Sequence, residues 1–143
     1  LTMVNIVDII EIIELYRKFS RYNSYTDREL AKSIIPSLSL SQYKKHYYND
    51  KLVGFTNWAN VDKKTELYFL STGIIKNWNC GNIMLHVDFV ATKNTKQIMK
   101  WLKNNALKKV GLNKNIHWIR LNKNNTVRTI MKQKTKDNWS WVV

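Results

Sequence analysis

Trp78-Asn79-Cys80-Gly81-Asn82-Ile83-Met84-Leu85-His86-Val87-Asp88-Phe89-Val90-Ala91 is the stretch whose reading decides the fold. From Ile83 onward it alternates. Ile83, Leu85, Val87, Phe89 and Ala91 form one wholly apolar face, and Met84, His86, Asp88 and Val90 lie on the other, as a period-two strand requires. The second face carries a carboxylate in an otherwise apolar run. Burying a carboxylate is costly unless it is paired or hydrogen-bonded, so Asp88 needs a reason. Two readings stand: a structural Asp held by backbone donors, or a carboxylate wanted near chemistry.

Working outward from that strand, Ile6, Ile9, Ile10, Ile13 and Tyr16 repeat at helical spacing and predict an amphipathic helix over 3–18. Thr26-Asp27-Arg28-Glu29 has the form of a capping box. Leu30, Ile34 and Ile35 give the short helix behind it a buried side, and Pro36 is expected to end it. Gln42 to Tyr48 and Leu52 to Asn60 read as two strands around a turn at Asn49-Asp50-Lys51. A short helix at 64–72 would close on Gly73. After the central strand, Asn94 or Thr95 can cap a helix with Ile98, Leu102 and Ala106 on its inner stripe, ending before Gly111. Ile116 to Leu121 reads as a further strand, with edge strands at 126–132 and 139–143. The pattern predicts one α/β domain over 1–143, a mixed sheet with helices against it.

The 143 residues carry a net charge of +14, six Trp and 44% hydrophobic content, which favours a packed globule over disorder. The apolar run Met3 to Tyr16 is interrupted by Asp8, Glu11 and Glu14, and reads as neither a signal peptide nor a membrane span. A single cysteine, Cys80, excludes an internal disulfide and fits a reducing compartment. As a lone thiol in a turn it reads as incidental rather than catalytic. Three histidines without ligand spacing and no second Cys make a metal site unexpected, and no glycine-rich phosphate loop is present. So strong a positive field selects polyanionic partners without naming one. His46, within Tyr43-Lys44-Lys45-His46-Tyr47-Tyr48, reads as part of a solvated strand face, and His117 as facing solvent.

Four words in order carry a resemblance: Gly54-Phe55-Thr56-Asn57-Trp58-Ala59-Asn60, Trp78-Asn79-Cys80-Gly81, Val87-Asp88-Phe89-Val90-Ala91 and Ile119-Arg120-Leu121. Ile35-Pro36 and Gln42-Tyr43 precede them. Over about residues 15 to 130 the chain resembles the RTX toxin-activating lysine acyltransferases of the hemolysin C type. The resemblance implies a GNAT-like fold and a cytoplasmic enzyme without a bound cofactor. Its members take a fatty acyl group from acyl-acyl carrier protein and attach it to internal lysines of an RTX protoxin. A homodimer is implied as well. Free lysine, with a pKa of about 10.4, must lose a proton before it attacks. The family uses a His near the N-terminus with the strand Asp, and Asp88 takes the part of that Asp.

An ungapped count from Trp58 back through Gln42-Tyr43 and Pro36 places Tyr22 where the family has its His. Three readings stay open. Tyr22 positions substrate by hydrogen bonding, or acts as a base helped by a cation such as Arg21. Alternatively His86 replaces it, two residues from Asp88 on the same strand face and about 7 Å away along the backbone. Or the chain is a catalytically impaired relative. The resemblance further implies that Arg120, Trp58 and Trp78 serve the donor or substrate, although Trp58, Trp78, Trp101 and Trp118 read first as core. Lys96, Lys100, Lys103, Lys108 and Lys109, on the helix after the Asp88 strand, offer a basic face to an acidic carrier protein. The rival from another class is a small basic nucleic-acid-binding protein.

Overall fold

The structure, a computed structural model, describes residues 3–110, 115–121, 127–134 and 139–141. The elements run α1 (Ile6–Tyr16), a short 3₁₀ turn (Ser20–Tyr22), α2 (Asp27–Ser39), β1 (Tyr43–Tyr48), β2 (Lys51–Val61), α3 (Lys63–Thr72), β3 (Ile83–Ala91), α4 (Thr95–Val110), β4 (Asn115–Leu121), β5 (Val127–Lys134) and β6 (Trp139–Trp141). The strands follow sequence order in one mixed sheet. β1 and β2 are antiparallel, β3 and β4 parallel, and β5 runs antiparallel to both β4 and β6. This is the α/β architecture expected. Of the expected edge strands, Thr126 and residues 142–143 lie outside the described residues. Contacts cluster into two compact units, Leu1–Asn57 with Asp88–Met99, and Trp58–Val87 with Lys100–Val143.

In the first unit α1 starts at Asn5, whose side chain accepts from the Val7 N–H. Its buried side is Ile12, Leu15 and Tyr16. This corrects the expected stripe, because Ile6 and Ile10 are 68% and 51% exposed. The helix is apolar on most of its circumference, so its hydrophobic spacing admits more than one rotation. The acids decide it: Lys45 of β1 reaches Asp8 at 2.7 Å and Glu11 at 3.3 Å, and the Tyr47 hydroxyl donates to Glu11 at 3.0 Å. α2 has the expected capping box, Thr26 and Glu29 each bonding the other's backbone N–H. Pro36 does not end it; the helix runs on to Ser39.

A proline inside a helix forfeits one N–H bond, here within the final stretch. The continuation is held by Leu40 N–H to the Pro36 carbonyl at 3.0 Å and Gln42 N–H to that of Ser37 at 2.8 Å. The extra turn buries Ser37 and Leu38 with Leu30 and Ile34, while the expected Ile35 stays 42% exposed. Asn49 and Asp50, both at positive φ, turn the chain from β1 into β2, a conformation suited to a tight hairpin. Phe55 and Val90 complete this unit's core with Ile12, Leu15, Tyr16, Leu30, Ile34 and Leu38.

In the second unit two of the quoted words are joined by main-chain bonds. Asn60 N–H donates to the Trp78 carbonyl at 3.0 Å, and the Asn60 carbonyl accepts from Cys80 and Gly81 at 2.7 and 3.2 Å. Asp62 caps α3 through the Thr65 N–H, and Gly73 closes it in the left-handed conformation, as expected. Trp58, Met84, Ala106 and Ile116 form the core, with Trp101 and Trp118 packed against it.

His117 does not face solvent. It is 3% exposed, and its Nδ1 pairs with the carboxylate of Glu66, itself 1% exposed. The strand register sets His117 opposite Leu85, so the face taken for solvent is packed by α3. His46 is half-buried too, its Nε2 3.0 Å from Thr56 Oγ1, and burial holds its pKa down to about 4.

Gly81 approaches the backbone of Val61 and Asp62 so closely that a Cβ would overlap it. Main chain cannot rotate aside as a side chain can. Gly81→Ala is therefore expected to cost about 3 kcal/mol, read as a lowered urea midpoint; an unchanged midpoint would show that the turn yields.

Candidate active site

The site grows from the first unit's end of β3. Asp88 is half-buried, and its carboxyl is held by side-chain hydroxyls rather than main-chain amides. Oδ2 accepts from the Tyr16 hydroxyl at 2.7 Å and from Ser33 Oγ at 3.1 Å. Tyr16 is the last residue of α1 and 1% exposed. Ser33 lies on α2, one turn before Ser37.

Asn57, on β2 and fully buried, ties the arrangement together. Its Oδ1 accepts from the Asp88 backbone N–H at 2.8 Å, and its Nδ2 donates to the Ser33 carbonyl and to Ser37 Oγ, each at 3.2 Å. The turn Ser20–Tyr22 supplies the aromatic and cationic wall. The Tyr22 ring packs 4.8 Å from that of Tyr16, and the Arg21 guanidinium lies 4.9 Å over the Tyr22 ring while donating to the Phe89 carbonyl at 3.3 Å.

The electrostatics follow from this packing. Burial pushes the Asp88 pKa up, against the pull of hydrogen bonds from Tyr16, Ser33 and Asn57 and of the Arg21 charge. Tyr16 is raised well above the usual phenol value, by burial first and then by the Asp88 charge. Tyr22 is raised as well, by burial and then by Asp88, with Arg21 opposing. Both phenols therefore keep their protons near neutrality. The group suited to exchanging a proton here is the carboxyl, whose affinity for one has risen.

Of the residues singled out from sequence, Tyr22 stands within electrostatic reach of Asp88. Among the described residues His86 is packed rather than hydrogen-bonded: its ring stacks on Trp118 at 4.9 Å with planes 6° apart, and burial lowers its pKa to about 3. Trp58 and Trp78 are buried, at 2% and 7% exposure. Arg120 lies in β4 opposite Arg128, and its side chain lies outside the described residues. Cys80 Sγ is 3.3 Å from Thr65 Oγ1. Among the described residues no cluster of His, Cys, Asp or Glu is arranged to hold a metal ion, and no helix is long and apolar enough to cross a membrane.

Tyr16, Ser33 and Asn57 were not picked out from sequence as partners of Asp88. One signal was available. Ser33 and Ser37 recur four apart beside the apolar positions Leu30 and Ile34, a polar pair turned toward the core side of an amphipathic helix.

A family model described as the RTX toxin acyltransferase family (HlyC) matches residues 4–134, nearly the whole chain. The chain belongs to that family. Membership makes it an acyltransferase of the class that activates RTX toxins. No curated protein matches the chain.

Burial of Asp88 links its proton to folding stability. Its pKa is higher folded than unfolded, so the folded state binds the proton more tightly. The associated stability is fully present below the unfolded carboxylate pKa and lost as pH rises through the folded value. Asp88→Asn is thus expected to raise the melting temperature at pH 7 relative to the parent, with the gain shrinking below about pH 4. Melting curves at the two pH values check it, and a loss of stability at pH 7 would contradict it.

Proposed function

We propose that this family member moves a fatty acyl group from acyl-acyl carrier protein to lysine ε-amines of an RTX protoxin, with Asp88 as proton acceptor. The observation behind the assignment is the burial-raised carboxyl of Asp88, held on two hydroxyls beside Arg21. A lysine ammonium gives one proton to the carboxylate, and the neutral amine attacks the thioester carbonyl. The C–N bond forms, the C–S bond breaks, and the departing thiolate takes the amine's second proton. Partial desolvation of the lysine in the same setting lowers its own pKa toward that of the acceptor.

Tyr22, a neutral phenol, serves as a hydrogen-bonding wall for the substrate rather than as a base. Lys96, Lys100, Lys108 and Lys109 are exposed along α4, a cationic surface for an acidic carrier protein. Trp58, Trp78 and Arg120 as donor contacts rest on the family resemblance alone. So do the GNAT-like build, cytoplasmic residence and a homodimeric state.

His86 supplies a second reading of the base. Neither ring nitrogen has a hydrogen-bond partner among the described residues, and the imidazole is unprotonated near neutrality. If the His86→Ala variant acylates at the parental rate, that reading is removed.

The deciding experiment incubates purified protein with acyl-acyl carrier protein and a protoxin and measures the intact mass of the protoxin. A gain of one acyl mass per modified lysine is expected. Asp88→Asn should slow it by at least about 100-fold, the usual contribution of a general base. No mass gain with the parent would point to the impaired relative instead.

A further inference from the structure

Resting on the reading above, we propose that Tyr16 is a positioning residue whose hydroxyl fixes Oδ2 of Asp88, so that proton exchange with the substrate amine runs through Oδ1. Three observations carry this. The Tyr16 bond is the shorter of the two to Oδ2, 2.7 against 3.1 Å. Ser33 has one proton and a second acceptor, the Leu30 carbonyl at 3.2 Å, whereas the Tyr16 hydroxyl is directed at Asp88. The Tyr16 ring is itself immobilised, packed between Tyr22 at 4.8 Å and Phe55 at 6.1 Å. A donor so fixed holds the carboxylate in one rotamer and stabilises its charged form.

Among the described residues, the titratable and charged groups facing Asp88 are Tyr16 from α1 and Arg21 and Tyr22 from the following turn. α2 and β2 present the neutral Ser33 and Asn57. Removing the Tyr16 proton while keeping its ring therefore changes one interaction. The charged form of Asp88 loses a donor, its proton affinity rises, and the acid limb of the rate profile moves to higher pH.

The experiment compares pH–rate profiles for protoxin acylation by the parent and Tyr16→Phe, with melting temperatures as a control. The expected result is an acid limb displaced upward by about one pH unit, hence about tenfold slower acylation at a fixed pH on that limb. Superimposable profiles would overturn the inference and leave the proposed function standing. If the parent itself transfers no acyl group, the proposed function fails. The inference is then read without turnover, from carbon NMR titration of the Asp88 carboxyl. An upward displacement in Tyr16→Phe supports it, and an unchanged midpoint overturns it. Should Tyr16→Phe fail to fold, Ser33→Ala removes the weaker donor to the same oxygen; an acid limb displaced by well under one pH unit supports the inference, and a displacement of about one unit or more, which would make Ser33 the dominant donor, overturns it.

Discussion

A carboxylate taken out of water must be given hydrogen-bond donors by the chain that buries it. In the first unit Asp88 receives them from α1 and α2, elements 72 and 55 residues earlier. The requirement ties local structure together. α1 must bring Tyr16 inward, which sends Ile6 and Ile10 outward. α2 must present Ser33 and Ser37 to Asn57, which needs the helix to run on through Pro36. Asn57 in turn bonds the Asp88 backbone, so the donors are fixed relative to the strand that carries the acid.

The second unit shows how the quoted words act as structure. Trp58-Ala59-Asn60 and Trp78-Asn79-Cys80-Gly81 are joined by main-chain hydrogen bonds through Asn60, and Gly81 is the residue without a Cβ where the chain crosses Val61. The spacing of these words is therefore a packing requirement. The Trp side chains are buried within it.

Much of the fold was legible because it rests on local rules. The alternation of 83–91, the Thr26–Glu29 capping box, the Asn49-Asp50 turn and the Gly73 helix end all depend on neighbours within a few residues. Asp88 was legible as the one charge in an apolar run. What stayed hidden depends on partners distant in sequence. The rotation of α1 is chosen by Lys45 of β1, which no periodicity within the helix can express. His117 alternates with Trp118 like any strand residue, and only its partner Glu66, 51 residues earlier, makes it buried. Tyr22, expected from ordinary phenol chemistry to hold its proton near neutrality, lies in a setting that strengthens that hold. Burial beside a carboxylate raises its pKa, so less phenolate is present near neutrality.

The Glu66–His117 pair carries a lesson for recognising enzymes by shape. A carboxylate seated on an imidazole Nδ1 is the arrangement that a search for acid–base dyads seeks, and this chain contains one. Yet both side chains are sealed within the second unit, where the strand register sets His117 beside Leu85. A template matched on interatomic geometry alone would select the architectural couple and pass over the lone acid beside its tyrosines. Burial, more than resemblance to a dyad, separates the two: Glu66 and His117 are 1% and 3% exposed, whereas Asp88 is half-buried.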